Sequence, residues 1–368
     1  VAFLPITIFC LETKIHSLAA YYPSNFLCCF VPSQFVPSQS IMTSMITPSV
    51  AQARLSQKSL LPLRRITAAL TSGVTIALSL WVNPALADPF RTSNPRPIGD
   101  QTEQAFKVLF EQGNYQQAAE LLRTAEPNEP LAYAMKAALA YIDRDWDTMG
   151  QNARLTRESA EQLMATDPLR GHLYVAAGQF LEGAHTLSTQ GTVRATPAIL
   201  SKLQQIFDSL KEAEKIDPQD PELNLLKGYM DLMLAVNLPF SNPEQAIERL
   251  QNYAAPSYLA QRGIAIAYRD LDKPEQALAA VDSALQQTPN NPELLYLKAQ
   301  ILRKQGNNQE SLRFFRQALA KQAQLPQNLA YQIAWEQCRT VNQVRNRDRD
   351  CSEVAQRQLQ QSETQADE

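Results

Sequence analysis

Histidine is almost missing from this chain: three occur in 368 residues, and only His172 and His185 lie beyond residue 87. Glu182 stands near the second, but no H-E-x-x-H, C-x-x-C, phosphate-cradling glycine loop or nucleophile elbow accompanies them. If one helix joins them, their thirteen-residue separation sets them about 20 Å apart, too far to share a metal ion. Both read as surface or capping histidines. No metal, cofactor or catalytic constellation is expected, and the chain reads as a non-enzyme.

Cysteine is nearly as scarce. Three of the five (Cys10, Cys28, Cys29) fall within the first 41 residues, leaving Cys338 and Cys351. In an oxidising compartment such a pair is commonly a disulfide; the alternative is two separate thiols. On one straight helix their spacing covers about 20 Å, against the roughly 4.4 to 6.8 Å between α-carbons that a disulfide tolerates, so a bond demands a turn within "RTVNQVRNRDRD".

Runs long enough to span a membrane are also lacking. The apolar stretch "ITAALTSGVTIALSLWV" (66–82) has 17 residues, short of the roughly 20 that a spanning helix needs. "LNLLKGYMDLMLAV" (223–236) is interrupted by Lys227 and Asp231 and reads as the core face of a helix. The first run instead follows the basic residues Arg54, Lys58, Arg64 and Arg65 and precedes "NPALADP", the three-part pattern of a secretory signal. Ala85 and Ala87 bracket Leu86 in an A-x-A site, which places cleavage after Ala87. No cysteine follows the cut, against a lipoprotein, and the Arg64–Arg65 pair lacks the surroundings of a twin-arginine signal. Residues 1–41 precede the first methionine and read as an over-extended or disordered upstream segment, residues 42–87 as the cleavable signal, and 88–98 as a linker.

Setting aside the first 87 residues removes one acid and five bases from the 37 acids and 34 bases of the chain, leaving 36 and 29 and a net charge of −7 over 281 residues. An excess of acid argues against nucleic acid as a partner.

What the chain does have is an echo. "NPEQAI" (242–247) returns as "KPEQAL" (273–278), and "DPELNLLKGYMDL" from 220 returns as "NPELLYLKAQILR" from 291. Each stretch opens a helix: a polar cap, proline at the first helical position, then glutamate or glutamine within the first turn. Two kinds of helix alternate. From 258 onward, Ala265, Tyr268, Ala277, Val281, Ala284 and Pro289 are followed 34 residues later by Ala299, Leu302, Ser311, Phe315, Ala318 and Ala323. A fixed period of this size is the mark of a repeat array.

With small residues at the eighth, twentieth and twenty-seventh positions of a 34-residue unit, the sequence resembles the tetratricopeptide repeat family. The frame extends to "EQGNYQQAAELL", with a turn at Gly113 and Asn114, Ala118 and Ala125; to a degenerate unit with Ala138, Tyr141 and Gly150; and to "LKEAEKIDP" with Ala213. The unit from Pro221 carries Gly228 and, after an insertion around "NLPFSN", Ala246. The fit is loosest over 167–200, where "STQGTVRATP" (188–197) suggests a long connection. The resemblance implies an all-α, right-handed superhelical solenoid of antiparallel helix pairs: about six hairpins over 99–324, capping helices over 325–358, and a frayed tail over 359–368.

Such arrays bind a protein or peptide along a concave groove lined by the first helices. Carried over by position, the groove residues would be Leu225, Tyr229, Leu232 and Met233; Arg262, Ile266, Arg269 and Asp270; and Tyr296, Gln300, Arg303 and Lys304. The Lys and Asn carboxylate clamp of the chaperone-binding members is absent from these positions. The signal ending and the repeat region are similar to exported cyanobacterial tetratricopeptide proteins, which implies the periplasm or thylakoid lumen and no stable membrane insertion after signal cleavage. An interaction scaffold is therefore expected. Two alternatives stay open: a small apolar ligand held where units 167–200 and 221–256 break the stacking, and an enzyme built around Glu182 and His185.

Overall fold

The computed structural model describes residues 88–237 and 243–366. The upstream stretch, the signal, its cleavage point and most of the "NLPFSN" insertion lie outside the described residues. All described residues fall within one compact unit, and among them are fourteen α-helices, one 3-10 turn and no strand.

The helices pair in sequence. Hairpin one is α1 (Asp100–Phe110) with α2 (Tyr115–Arg123), and hairpin two α3 (Pro130–Ile142) with α4 (Trp146–Leu163). Hairpin three is α5 (Pro168–Gln190) with α6 (Thr192–Ile216), and hairpin four α7 (Pro221–Asn237) with α8 (Pro243–Tyr253). Then come α9 (Ser257–Asp270) with α10 (Pro274–Gln287), and α11 (Pro292–Lys304) with α12 (Asn308–Leu319). The pair α13 (Gln327–Arg345) and α14 (Cys351–Ala366) closes the series. Each helix packs against its hairpin partner and each hairpin against the next, as expected of a solenoid of helix pairs. Helix α14 continues past 358 into the stretch expected to fray.

Local chemistry explains the starts and stops. Proline opens α3, α5, α7, α8, α10 and α11, where its missing N–H would have no partner anyway. Asp167 accepts from Arg170 N (3.1 Å), Asp220 from Leu223 N (2.9 Å) and Asn291 from Glu293 N (2.9 Å), so side chains satisfy the first free donors of α5, α7 and α11. Lys273, at the cap of α10, supplies no such bond. Helix α1 borrows its cap from beyond its own hairpin. The Glu126 carboxylate accepts from Gln101 N, Thr102 N and the Thr102 hydroxyl, at 2.9, 2.9 and 2.6 Å.

The small residues of the repeat frame sit where helices touch. Ala265, Ala277, Ala284, Ala299, Ser311 and Ala318 are all fully buried, and the Ser311 hydroxyl donates to Ala299 O at 2.9 Å. At Gly228 an added β-carbon would lie 2.6 Å from Leu250 on the partner helix. Crowding of that kind costs about 1–3 kcal/mol.

One expectation is corrected. Residues 188–197 are not a long connection: α5 runs to Gln190, α6 starts at Thr192, and Gly191 alone turns the chain, with φ 74°. The irregularity is instead in helix length, 23 and 25 residues. A sequence window rich in Ser, Thr and Gly reads as loop on composition, yet packing against a neighbour overrides propensity.

Hairpin one also meets hairpin six. Asn291 caps α11 through Oδ1 while its Nδ2 donates to Phe110 O (2.9 Å) and Glu111 O (3.2 Å) at the end of α1. Gly113 makes this contact possible: its φ is 66°, and a β-carbon there would lie 2.8 Å from Pro292.

Candidate functional site

First helices of successive hairpins lie side by side, and the positions predicted to line a groove fall on α7, α9 and α11. Their exposure divides them. Leu225, Tyr229, Leu232, Arg262 and Tyr296 are buried, Met233, Ile266, Arg269, Asp270, Gln300 and Arg303 are half-buried, and Lys304 is exposed.

The buried ones are covered by the chain itself. Arg262 forms an ion pair with Glu293, whose other oxygen accepts from the Tyr115 hydroxyl of hairpin one at 2.8 Å. Burial and the Glu293 carboxylate push the Tyr115 hydroxyl well above its ordinary value, so it stays a donor. Tyr229 donates to Leu259 O at 2.7 Å beneath Gly263, whose added β-carbon would strike the Tyr229 ring at 2.8 Å. These side chains hold α7, α9, α11 and hairpin one together.

Met233 and Ile266 pack against the apolar core, and the remaining polar positions form a row across the C-terminal ends of α9 and α11 and the middle of α13. Arg269 pairs with Asp270 (3.0 Å) and donates to Gln300 Oε1 (2.7 Å). Gln300, Tyr296 and Gln332 all donate to Glu336 Oε1, at 3.1, 2.6 and 3.0 Å. Arg303 meets the other Glu336 oxygen at 3.2 Å, while Lys304 donates to Arg269 O (2.6 Å) and reaches Asp272 at 3.0 Å. Burial alone would lower Arg269, but Asp270 outweighs it and holds the guanidinium charged. Glu336 was missed by sequence reasoning because it belongs to a capping helix outside the repeat frame. No repeat signal points to it: one 34-residue step back from Glu336 is Leu302, not one of the positions expected to line the groove. Chemically the part-exposed groups of the row are the cations Arg303 and Lys304, while the Asp270 and Glu336 carboxylates are buried beneath their partners.

A second row lies at the N-terminal ends of α3, α5 and α7. Arg170, 1 % exposed, donates to Glu129 (2.6 Å) on one side and Glu222 (3.2 Å) on the other, and Tyr174 donates to Glu222 at 2.6 Å. Burial would raise Glu222, but Arg170 and then Arg91 outweigh it and hold it below its ordinary value; burial does push Glu129 and Asp220 up. Residues 88–98 cross this row without a helix, with Phe90 and Ile98 buried and Arg91 and Arg96 on the carboxylates.

The other singled-out residues separate. His172 and His185 occupy one continuous helix, α5. Glu182 is taken by Arg157 (2.9 Å) and Lys202 (2.6 Å); burial would raise it, and the two cations keep it below the ordinary carboxylate value. Among the described residues no group of three or more His, Cys, Asp or Glu could hold a metal ion, and no helix is long and apolar enough to cross a membrane. Cys338 and Cys351 are joined by a disulfide, with α-carbons 5.4 Å apart. The turn that permits it passes through Asn346 in the left-handed region, between α13 and α14. In the irregular middle, a cavity of about 20 Å³ is lined by Phe90, Leu131, Leu173, Tyr174, Leu225 and Leu226, room for about one water molecule.

Stacked two-helix units with small residues at their contacts and a side-chain row along their first helices define a helical-hairpin repeat protein. Residues 262–326 match the tetratricopeptide repeat family model. Hairpins five and six thus carry tetratricopeptide repeats, a repeat that is typically non-catalytic and suggests a protein partner. No curated protein matches the chain.

Proposed function

We propose that this chain is an exported, non-catalytic scaffold that holds a protein or peptide partner against the polar row on α9, α11 and α13. The observation that carries the reading is the part-exposed set Arg269, Asp270, Gln300, Arg303 and Lys304, aligned along adjacent first helices of the hairpins that match the family. Tetratricopeptide hairpins present this side to polypeptides, and Arg303 and Lys304 keep part of their exposure there. Export is supported by the basic stretch, apolar run and A-x-A site ahead of residue 88, and by a disulfide, a bond that persists in oxidising compartments. The periplasm and the thylakoid lumen share such signals, and both suit the reading.

The test is cross-linking of tagged protein in its native compartment, with mass spectrometry of what it holds. Links from a reproducible partner to residues 258–304 are expected, and Arg269→Ala, Arg303→Ala and Lys304→Ala together should abolish them. Retention of every partner by that triple variant would rule this surface out. Sequencing of the native N-terminus should begin at Asp88; a longer chain would sink the cleavage assignment.

A further inference from the structure

Residues 88–98 are bound to the repeat unit as a ligand is bound. The segment has its own internal organisation: the Asp88 carboxylate accepts from Phe90 N (2.8 Å), Arg91 N (3.2 Å) and Arg96 N (2.9 Å), and Arg91 Nη1 returns to it at 3.0 Å. Its hydrogen bonds to the helices, among the described residues, come from two side chains. Arg91 donates to Asp220 (2.6 Å) and Glu222 (3.0 Å), and Arg96 to Asp167 (2.6 Å) and Asp220 (3.2 Å). Thr92, Ser93 and Asn94 between these anchors are exposed. Backbone pairing of the sort that builds a segment into a fold is replaced by an aromatic plug and two guanidinium groups.

The surface beneath is shaped for those groups. Phe90 is buried in the same apolar cluster as Leu131 of α3, Leu173 and Tyr174 of α5 and Leu225 of α7, with which it lines a small cavity, and its ring meets Phe106 edge-on at 5.0 Å. Around that cavity stand Glu129, Asp167, Asp220 and Glu222, four carboxylates that the helices meet with backbone N–H groups, the Tyr174 hydroxyl and, among the described residues, one cation, Arg170. Lifting residues 88–98 would remove Arg91 and Arg96 and leave an apolar surface rimmed by four carboxylates against the single Arg170 guanidinium. Fixed carboxylates with an adjoining aromatic pocket recognise a planar guanidinium next to a ring.

We propose that residues 88–98 are a displaceable internal ligand, and that the cleft on α3, α5 and α7 receives in trans an extended peptide in which an aromatic residue is directly followed by arginine. This cleft is separate from the row on α9, α11 and α13, and the proposal stands whether or not that row binds anything. Occupation in cis would set the affinity for the external peptide, because a ligand sees only the fraction of molecules whose site is open.

The test uses the full chain and a fluorescein-labelled peptide of sequence DPFRTSNPRPI, with a control in which Phe and Arg are replaced by Ala and Glu. Fluorescence anisotropy should show the peptide binding the Phe90→Ala, Arg91→Ala double variant at least about tenfold more tightly than the wild type, and the control peptide binding neither. A double variant that keeps its helical circular dichroism yet binds no peptide, or binds both peptides equally, overturns the proposal. Should the double variant fail to fold, the wild type carrying Ser93→Cys with a fluorophore decides the matter. Excess unlabelled peptide is expected to release the segment and change the label's anisotropy saturably, and no change at any peptide concentration overturns the proposal.

Discussion

In the α3, α5 and α7 region Arg170 is 1 % exposed and locked between two carboxylates, whereas in the α9, α11 and α13 region the side chains of Arg303 and Lys304 keep 32 % and 39 % of their exposure. Both regions are rows of charge along first helices of one repeat array. They differ in what covers them. The first is roofed by residues 88–98, which bury Arg170 and Glu222; among the described residues the second carries no such segment, and its Arg303 and Lys304 stay part-exposed while the side chains of Asp270 and Glu336 are buried. Desolvation therefore makes Arg170 a member of the frame, and leaves Arg303 and Lys304 as the cations a proposed partner could reach.

The strongest way to break this contrast is Arg170→Ala. It would strand the Glu129 carboxylate in the interior and leave Glu222 to Arg91 and the Tyr174 hydroxyl, and breaking a buried pair by removing one partner costs about 3–5 kcal/mol. Urea unfolding should register that loss. A change of about 1 kcal/mol or less, the worth of an exposed pair, would show that the region is open to water and that the two rows are alike.

Next in size is the pair Cys338→Ser and Cys351→Ser. The disulfide closes a thirteen-residue separation, for which loss of unfolded-state restraint amounts to about 3 kcal/mol. Hydrogen exchange should speed up in α14 first, since α13 anchors it through this bond. Because α13 carries Glu336, weakened cross-links at α11 and α13 in the same variant would tie the row to the staple; unchanged links would separate them.

The regular half of the molecule was legible in the sequence, and the reason is local. Ala265, Ala277 and Ala284 recur as Ala299, Ser311 and Ala318 because two helices touch at each position, and a contact repeated every 34 residues leaves a countable trace. The turn at Gly113 and the bend that brings Cys338 to Cys351 were readable for similar reasons, from backbone freedom and from distance. The burial of Arg262, Tyr229 and Tyr296 was not. Repeat position says which way a side chain points, but the cover on Arg262 comes from Tyr115, which meets Glu293 178 residues away in sequence. The role of residues 88–98 was hidden likewise: a short Pro-containing stretch reads as linker, and Arg91 meets Asp220 129 positions on. Partnerships at that range leave no periodic mark.

A smaller effect sharpens the contrast at hairpin one. Burial would raise Glu126, but the bonds it accepts from Thr102 and Gln101 outweigh that and set its folded pKa below the ordinary value. Its contribution is therefore present above the unfolded carboxylate pKa, near 4.3, and is lost as pH falls through the lowered folded value. Glu126→Ala should cost about 1 kcal/mol at neutral pH, as loss of a helix cap does, and the gap between variant and wild type should close on acidification. A gap that widens below pH 4 would reverse the sign and refute the capping role.

The smallest expected change is the most informative about the second row. Lys304 pairs with Asp272, itself 82 % exposed, at 3.0 Å, and water already solvates both ions, so little is gained by bringing them together. Lys304→Ala should lower stability by less than about 1 kcal/mol, and the loss should shrink further in high salt, which screens exposed pairs. Binding need not follow stability: a lysine worth little to the fold can still steer an incoming partner, with the effect appearing in the association rate and its salt dependence. If Lys304→Ala instead destabilises the chain as Arg170→Ala does, the row on α9 and α11 is part of the frame that holds the hairpins together, and the partner must be sought elsewhere on the surface.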